Sequence, residues 1–123
     1  LKLNEKGVQV SLFVDPDQKQ IEMSKKVGAQ MVEIHTGKYC ARHSEQSEGS
    51  QTELNNVLKS IQHAKELNLI CNAGHGLDYE NIKPLATHPD IYEFNIGHSI
   101  ICRAVLIGLE NAVSDMKALL RVP

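Results

Sequence analysis

A chain of 123 residues with 13 Lys and Arg against 15 Asp and Glu carries a formal charge of -2, and 41% of it is hydrophobic. That length holds one domain, residues 1–123, and an acidic balance with a pI near 6.3 gives no electrostatic reason to expect nucleic acid or an anionic membrane as a partner. No apolar run approaches the roughly 20 residues of a membrane-crossing helix, and three cysteines, an odd number, argue for free thiols in a reducing, cytoplasmic setting rather than a disulfide frame.

The first residues, Leu1 to Gly7, read as the last turn of a helix stopped by glycine, and so as a piece of a longer chain. Val8 to Val14 has the β-branched content of a strand. Asp15-Pro16-Asp17 ends it and caps a helix over Gln18 to Val27, with Ile21, Met23 and Val27 as its apolar positions and Gly28 at its stop. Met31 to Ile34 opens a second strand, tipped by Glu33-Ile34-His35-Thr36-Gly37. A polar loop is expected over Lys38 to Gly49. Ser50-Gln51-Thr52-Glu53 has capping-box spacing, so the next helix should start there and bury Leu54, Val57, Leu58, Ile61 and Ala64, ending near Asn68.

Leu69 to Leu77, LICNAGHGL, is a short apolar strand that breaks into a glycine-bracketed histidine. Asp78 then caps a short expected helix through Ile82 and Leu85, with Pro84 in or near its first turn. After His88-Pro89-Asp90, Glu93 to Ile101 repeats the pattern as EFNIGHSII and runs into a last helix, Ser99 to Leu120. Its expected buried face is Ile101, Val105, Leu109, Ala112, Val113, Met116 and Leu120. Four βα units in a row argue for an α/β fold with a parallel sheet and right-handed crossovers.

Alternate strand residues face opposite sides of a sheet. One phase, with Val10, Leu12, Val14, Val32, Ile34, Leu69, Cys71, Ala73, Phe94 and Ile96, is apolar and suits a helix layer. The other holds Ser11, Phe13, Asp15, Glu33, His35, Ile70, Asn72, Glu93 and Asn95. A doubly wound sheet would be apolar in both phases, whereas one polar phase suits a (β/α)8 TIM barrel whose interior converges on a polar ligand. Glu93 precedes its strand tip and reads as a hydrogen-bond partner of a neighbouring strand. Glu33 lies at the tip and reads as functional, because a buried carboxylate costs several kcal/mol unless it is used or paired.

His75 and His98 each stand beside glycine at a strand end, so they are candidates for proton transfer near neutral pH. Gly97-His98-Ser99 leads straight into a helix, whose N–H groups and dipole favour an anion such as phosphate. Gly76 and Gly97 would let a phosphoryl group approach the main chain. His43, His63 and His88 receive no role. Cys40 and His43 have a ligand-like interval without a second pair at suitable spacing, so no metal is expected.

The strings QVSLFVDPD, VEIHTG, NAGHGLDYENI and EFNIGHSII followed by RAVLIGLENAV resemble the C-terminal half of the pyridoxine 5′-phosphate synthase family of the bacterial vitamin B6 pathway. The similarity runs through essentially the whole chain in order. It implies a (β/α)8 barrel of about 250 residues, of which this chain supplies strands five to eight. It also implies condensation of 1-deoxy-D-xylulose 5-phosphate with 3-amino-2-oxopropyl phosphate to pyridoxine 5′-phosphate, phosphate and water, with no metal and no other cofactor. His75 matches the family's proton donor, Glu33 a carboxylate that stabilises charged transition states, and Gly76, Gly97 and His98 the contacts to the aminoketone phosphate. The family's proton-accepting His and Glu fall in its N-terminal half. The implied partners are phosphorylated small molecules, that N-terminal half and, in a family that forms octamers, further copies of the protein.

Two other readings stand beside this one. A non-catalytic half-barrel could dimerise to hold a phosphorylated ligand. An aldolase would need a strand-tip Lys for a Schiff base, which is absent, and a receiver-like domain would need an acidic cluster where only Asp15 qualifies.

Overall fold

The computed structural model describes residues 2–44 and 48–120. A 3-10 turn, Asn4–Lys6, closes on Gly7 at φ 73. Then follow β1 (Ser11–Val14), α1 (Gln18–Lys26), β2 (Met31–His35), α2 (Gly37–Ser44), α3 (Glu48–Glu66), β3 (Ile70–Gly74), β4 (Glu93–Asn95), α4 (His98–Ile107) and α5 (Leu109–Leu119). The four strands form one sheet in the order β1-β2-β3-β4, every pair parallel. Such an arrangement, in which sequential strands are neighbours, is compatible with part of a TIM barrel.

The register brings the polar phase into rows. Phe13 pairs with Glu33, Glu33 with Asn72 and Asn72 with Glu93. One step toward the strand ends, His35 pairs with Gly74 and Gly74 with Asn95. The apolar phase makes the core: Val32, Ile34, Cys71 and Leu69 pack with Ile21 of α1, Tyr39 and Cys40 of α2, and Val57, Ile61 and Ala64 of α3. Each large aliphatic side chain buried this way contributes about 1.5–3 kcal/mol. Residues of the other phase are more open to solvent: among the described residues Phe13 is 56% and Ile70 36% exposed.

Several helical expectations are corrected. Lys38 to Gly49 is mostly helical, because Cys40 N–H bonds to Thr36 O at 2.9 Å and starts α2, which Tyr39 and Cys40 seat in the core. Residues 45–47 of that expected loop lie outside the described residues. Helix α3 begins at Glu48, so Ser50 lies inside it and is not its cap. In α1, Asp17 caps as expected by accepting from Gln20 N–H, but Met23 and Val27 are exposed and the buried residues are Ile21 and Ser24. The stretch after Asp78 is a series of turns rather than a helix. Asp78 Oδ1 still accepts from Glu80 and Asn81 N–H, but Pro84 has no N–H to continue a ladder.

The last helix is also two. Gly108, at φ 85 and ψ 152, separates α4 from α5, a conformation open essentially to glycine alone. Ala112 and Met116 are buried as expected, whereas Ile101, Val105, Leu109 and Val113 are exposed. The helices are tied to each other by Arg103, whose Nε and Nη2 donate to Asp115 Oδ2 while its guanidinium lies 4.6 Å from the Tyr79 ring centre. Among the described residues, no helix is long and apolar enough to cross a membrane.

Candidate active site

The C-terminal ends of the four parallel strands open on a cavity of about 600 Å³. Its walls are Phe13 from β1, Glu33 from β2, His75, Gly76 and Leu77 beyond β3, and Asn95, Ile96, Gly97 and His98 from β4 into α4. All five residues singled out as candidates, Glu33, His75, Gly76, Gly97 and His98, therefore share one space.

Glu33 is held by a residue two strands away. Asn95 Nδ2 donates to Glu33 Oε2 at 2.8 Å, crossing over Gly74 of the intervening strand. A Cβ on Gly74 would lie 2.2 Å from Glu33 Oε1 and 3.1 Å from Asn95 O, so the glycine is what makes the crossing possible. Deeper in the sheet, Asn72 Nδ2 donates to Glu93 Oε1 at 3.3 Å. Glu93 thus does what its position before the tip leads one to expect, bonding to the adjacent strand.

His75 sits at φ 78, and Gly76 follows at φ 79. A positive φ at a residue with a side chain is uncommon and persists where the surroundings impose it. Here Thr36 imposes it: its N–H donates to Gly74 O at 2.9 Å, and its hydroxyl lies 2.8 Å from Gly74 O and 2.7 Å from His75 O. Cys40 Sγ also reaches His75 O, at 3.7 Å, and Asn81 Nδ2 donates to Gly76 O at 3.1 Å. Gly76 must be small, since a Cβ there would come within 3.0 Å of Cys40 Cβ.

At the far wall, Gly97 caps α4 without any side-chain hydrogen bond. The first N–H groups of the helix, beginning at His98, have no partner in a preceding turn. Ser99 anchors that helix end to the β3 tip by donating to Leu77 O at 2.7 Å. A Cβ on Gly97 would meet nothing within 4 Å, so the main chain there is bare toward the cavity. This arrangement can accept an anion at the helix head while an exposed imidazole and a fixed carboxylate face the same space.

Two residues given no role from sequence complete the constellation. His35 Nδ1 lies 3.4 Å from Asp15 Oδ1, and its ring centre lies 4.7 Å from that of His75. The signal was present: Asp15, Glu33 and His35 share the polar phase. Cys40 and His43 do not form a ligand pair. The Cys40 thiol is buried against the His75 carbonyl, its pKa pushed up to about 11 chiefly by burial, and the His43 ring packs edge-on to Tyr39 at 5.7 Å. Among the described residues no three His, Cys, Asp or Glu side chains converge as a metal site.

Fold and cavity together define a parallel α/β protein that gathers imidazoles, a carboxylate and a bare helix head at the C-terminal ends of its strands. The chain belongs to the family described as pyridoxal phosphate biosynthesis protein PdxJ, whose sequence model matches residues 1–122. It is 51% identical over 121 residues to the pyridoxine 5′-phosphate synthase of Trichlorobacter lovleyi, covering 98% of this chain and 50% of that protein. It is 48% identical over 121 residues to that of Blochmanniella floridana, covering 98% of this chain and 48% of the relative. With that of Pseudoalteromonas translucida the identity is 47% over 118 residues, 96% of this chain and 48% of the relative. The chain spans about half the length of the curated relatives it matches.

Proposed function

We propose that this chain forms the second half of a (β/α)8 barrel and carries the aminoketone-phosphate side of a pyridoxine 5′-phosphate synthase site. The observation that carries the proposal is the shared cavity of His75, Glu33 and Gly97-His98 at adjacent strand ends. Closure into a barrel is supported by the two sheet edges, β1 and β4, left open among the described residues, because unpaired strand edges are a liability that closure removes. It is also supported by exposed apolar residues on α4, where Val105 is 82% and Leu106 85% exposed, surface that an adjoining barrel half or a further copy in a homo-oligomer would cover.

In this reading the head of α4, with Gly97 and His98, and the bare main chain at Gly76 bind the phosphate of 3-amino-2-oxopropyl phosphate. His75 donates a proton as the condensation with 1-deoxy-D-xylulose 5-phosphate loses water and phosphate, steps that all need a positioned acid. Glu33, fixed by Asn95, stabilises the cationic character that develops on the imine nitrogen. The proton-accepting groups belong to the other barrel half.

A chimera joining this chain to the remaining half of the Blochmanniella floridana relative tests the proposal. Pyridoxine 5′-phosphate formation from the two substrates, lost on His75→Asn, is the expected result, with no activity from the 123-residue chain by itself. A folded chimera that forms no product, or an isolated chain that dimerises and binds phosphorylated ligands without turnover, would favour the non-catalytic half-barrel instead.

A further inference from the structure

We infer that Asp15 and His35 are a positioning pair for His75, an inference that rests on the proposed role of His75 as proton donor. Three adjacent strand ends contribute one residue each: Asp15 follows β1, His35 ends β2 and His75 follows β3.

The hydrogen bonds to the carbonyls of Gly74 and His75 fix the main chain of His75, but they leave its exposed side chain free to rotate. The ring needs its own support. His35 supplies it: the two imidazole centres are 4.7 Å apart with planes inclined by 39°, within the range of packed aromatic pairs. His35 is itself held from two sides. Phe13 meets it edge-on at 4.9 Å and 88°, and Asp15 Oδ1 lies 3.4 Å from its Nδ1.

Gly37 provides the floor. A Cβ at that position would come within 2.8 Å of His35 Cε1 and 3.0 Å of His75 Cδ2, so both rings lie where a side chain would otherwise be. The other polar groups nearby are already engaged or sit elsewhere on the wall. Glu33 accepts from Asn95, Cys40 points at the His75 carbonyl, and His98 lies at the head of α4, where its Nε2 is 3.5 Å from Cys102 Sγ. Asp15 is the carboxylate in contact with His35, and His35 the ring packed on His75. The series turns a side chain at an exposed strand tip into one held in a fixed direction.

The test uses the chimera with the Blochmanniella floridana half, measured for kcat and KM and, with labelled histidine, by NMR of the His75 ring. His35→Ala and Asp15→Ala are each expected to lower kcat roughly 10- to 100-fold, the size of effect that misplacing a reacting group produces, with KM for the aminoketone phosphate unchanged. Asp15→Asn, which keeps an oxygen facing Nδ1, should recover most of the rate. In the same proteins the His75 ring signal should move in both alanine variants and return in Asp15→Asn. A normal kcat in the two alanine variants, a rise in KM without a fall in kcat, or an unmoved His75 signal would each overturn the pair. If the unsubstituted chimera makes no product, the synthase reading fails, and the NMR comparison still decides whether Asp15 and His35 hold the ring.

Discussion

Asn95 reaches Glu33 across a strand that offers no side chain to block it. The 2.8 Å bond from Asn95 Nδ2 to Glu33 Oε2 passes over Gly74, which pairs with Asn95 in the register. The carboxylate is therefore fixed by a polar partner rather than by burial, and the arrangement makes a definite demand on the glycine.

Gly74→Ala should break that bond while sparing the fold. The added Cβ would displace the Glu33 carboxylate and press on the Asn95 main chain, a crowding cost of about 1–3 kcal/mol. Urea unfolding of the chain measures the loss, and the chimera should lose turnover as Glu33 swings away. Unchanged turnover would separate Glu33 from the chemistry.

His75→Asn should lower turnover in the chimera by roughly 10²- to 10⁴-fold, the usual worth of a positioned acid. Asparagine suits the test because it tolerates the positive φ of His75 better than most residues do. The side chain is exposed, so denaturation midpoints should hardly change.

Gly97→Ala should separate binding from folding. Its φ is -124 and the space around a new Cβ is open, so stability should stay within about 0.5 kcal/mol of the parent. The methyl group would stand in the approach to the head of α4, and calorimetric titration with inorganic phosphate should show weaker binding.

Gly108→Ala should destabilise the α4–α5 pair by about 1–3 kcal/mol, since φ 85 with ψ 152 falls where residues with a Cβ are strained. Hydrogen exchange localised to α4 and α5 would register the change.

The three thiols should react in two classes. Cys102 is exposed, whereas Cys40 and Cys71 are buried, so one equivalent should titrate with a thiol reagent in the native chain and the other two only on unfolding. Burial pushes the Cys71 thiol up to about 12, with the Asp90 charge adding to it, and Cys40 up to about 11, both from 9.0. The native state thus holds these protons more tightly than the unfolded chain, and their contribution is fully present below pH 9. Stability should fall as pH rises from 9 through about 11 and 12, which denaturation curves across that range would reveal.

The strands were legible because their alternation is a property of neighbours in the chain. Val32, Ile34 and Cys71 on one phase, with Glu33 and His35 on the other, declare which face packs and which stays polar. The helices were less so. Lys38 to Gly49 looks like a polar loop because, among its described side chains, Tyr39 and Cys40 are the ones buried in the core, and two adjacent inward residues do not make a helical stripe visible. The apolar spacing from Ile101 through Val113 is truly helical in rhythm, yet most of it lies exposed and Gly108 divides it.

From the order of residues alone came the parallel α/β plan, the polar phase, and the five candidates Glu33, His75, Gly76, Gly97 and His98, since each rests on local periodicity or on glycine beside histidine. Only the tertiary structure decided that Asn95 holds Glu33 over Gly74, that Thr36 pins the main chain of His75, and that Asp15 meets His35 while His35 packs on the His75 ring. Those contacts join residues from separate strands, and which of them meet depends on strand register, a relation between distant segments that short-range pattern does not encode.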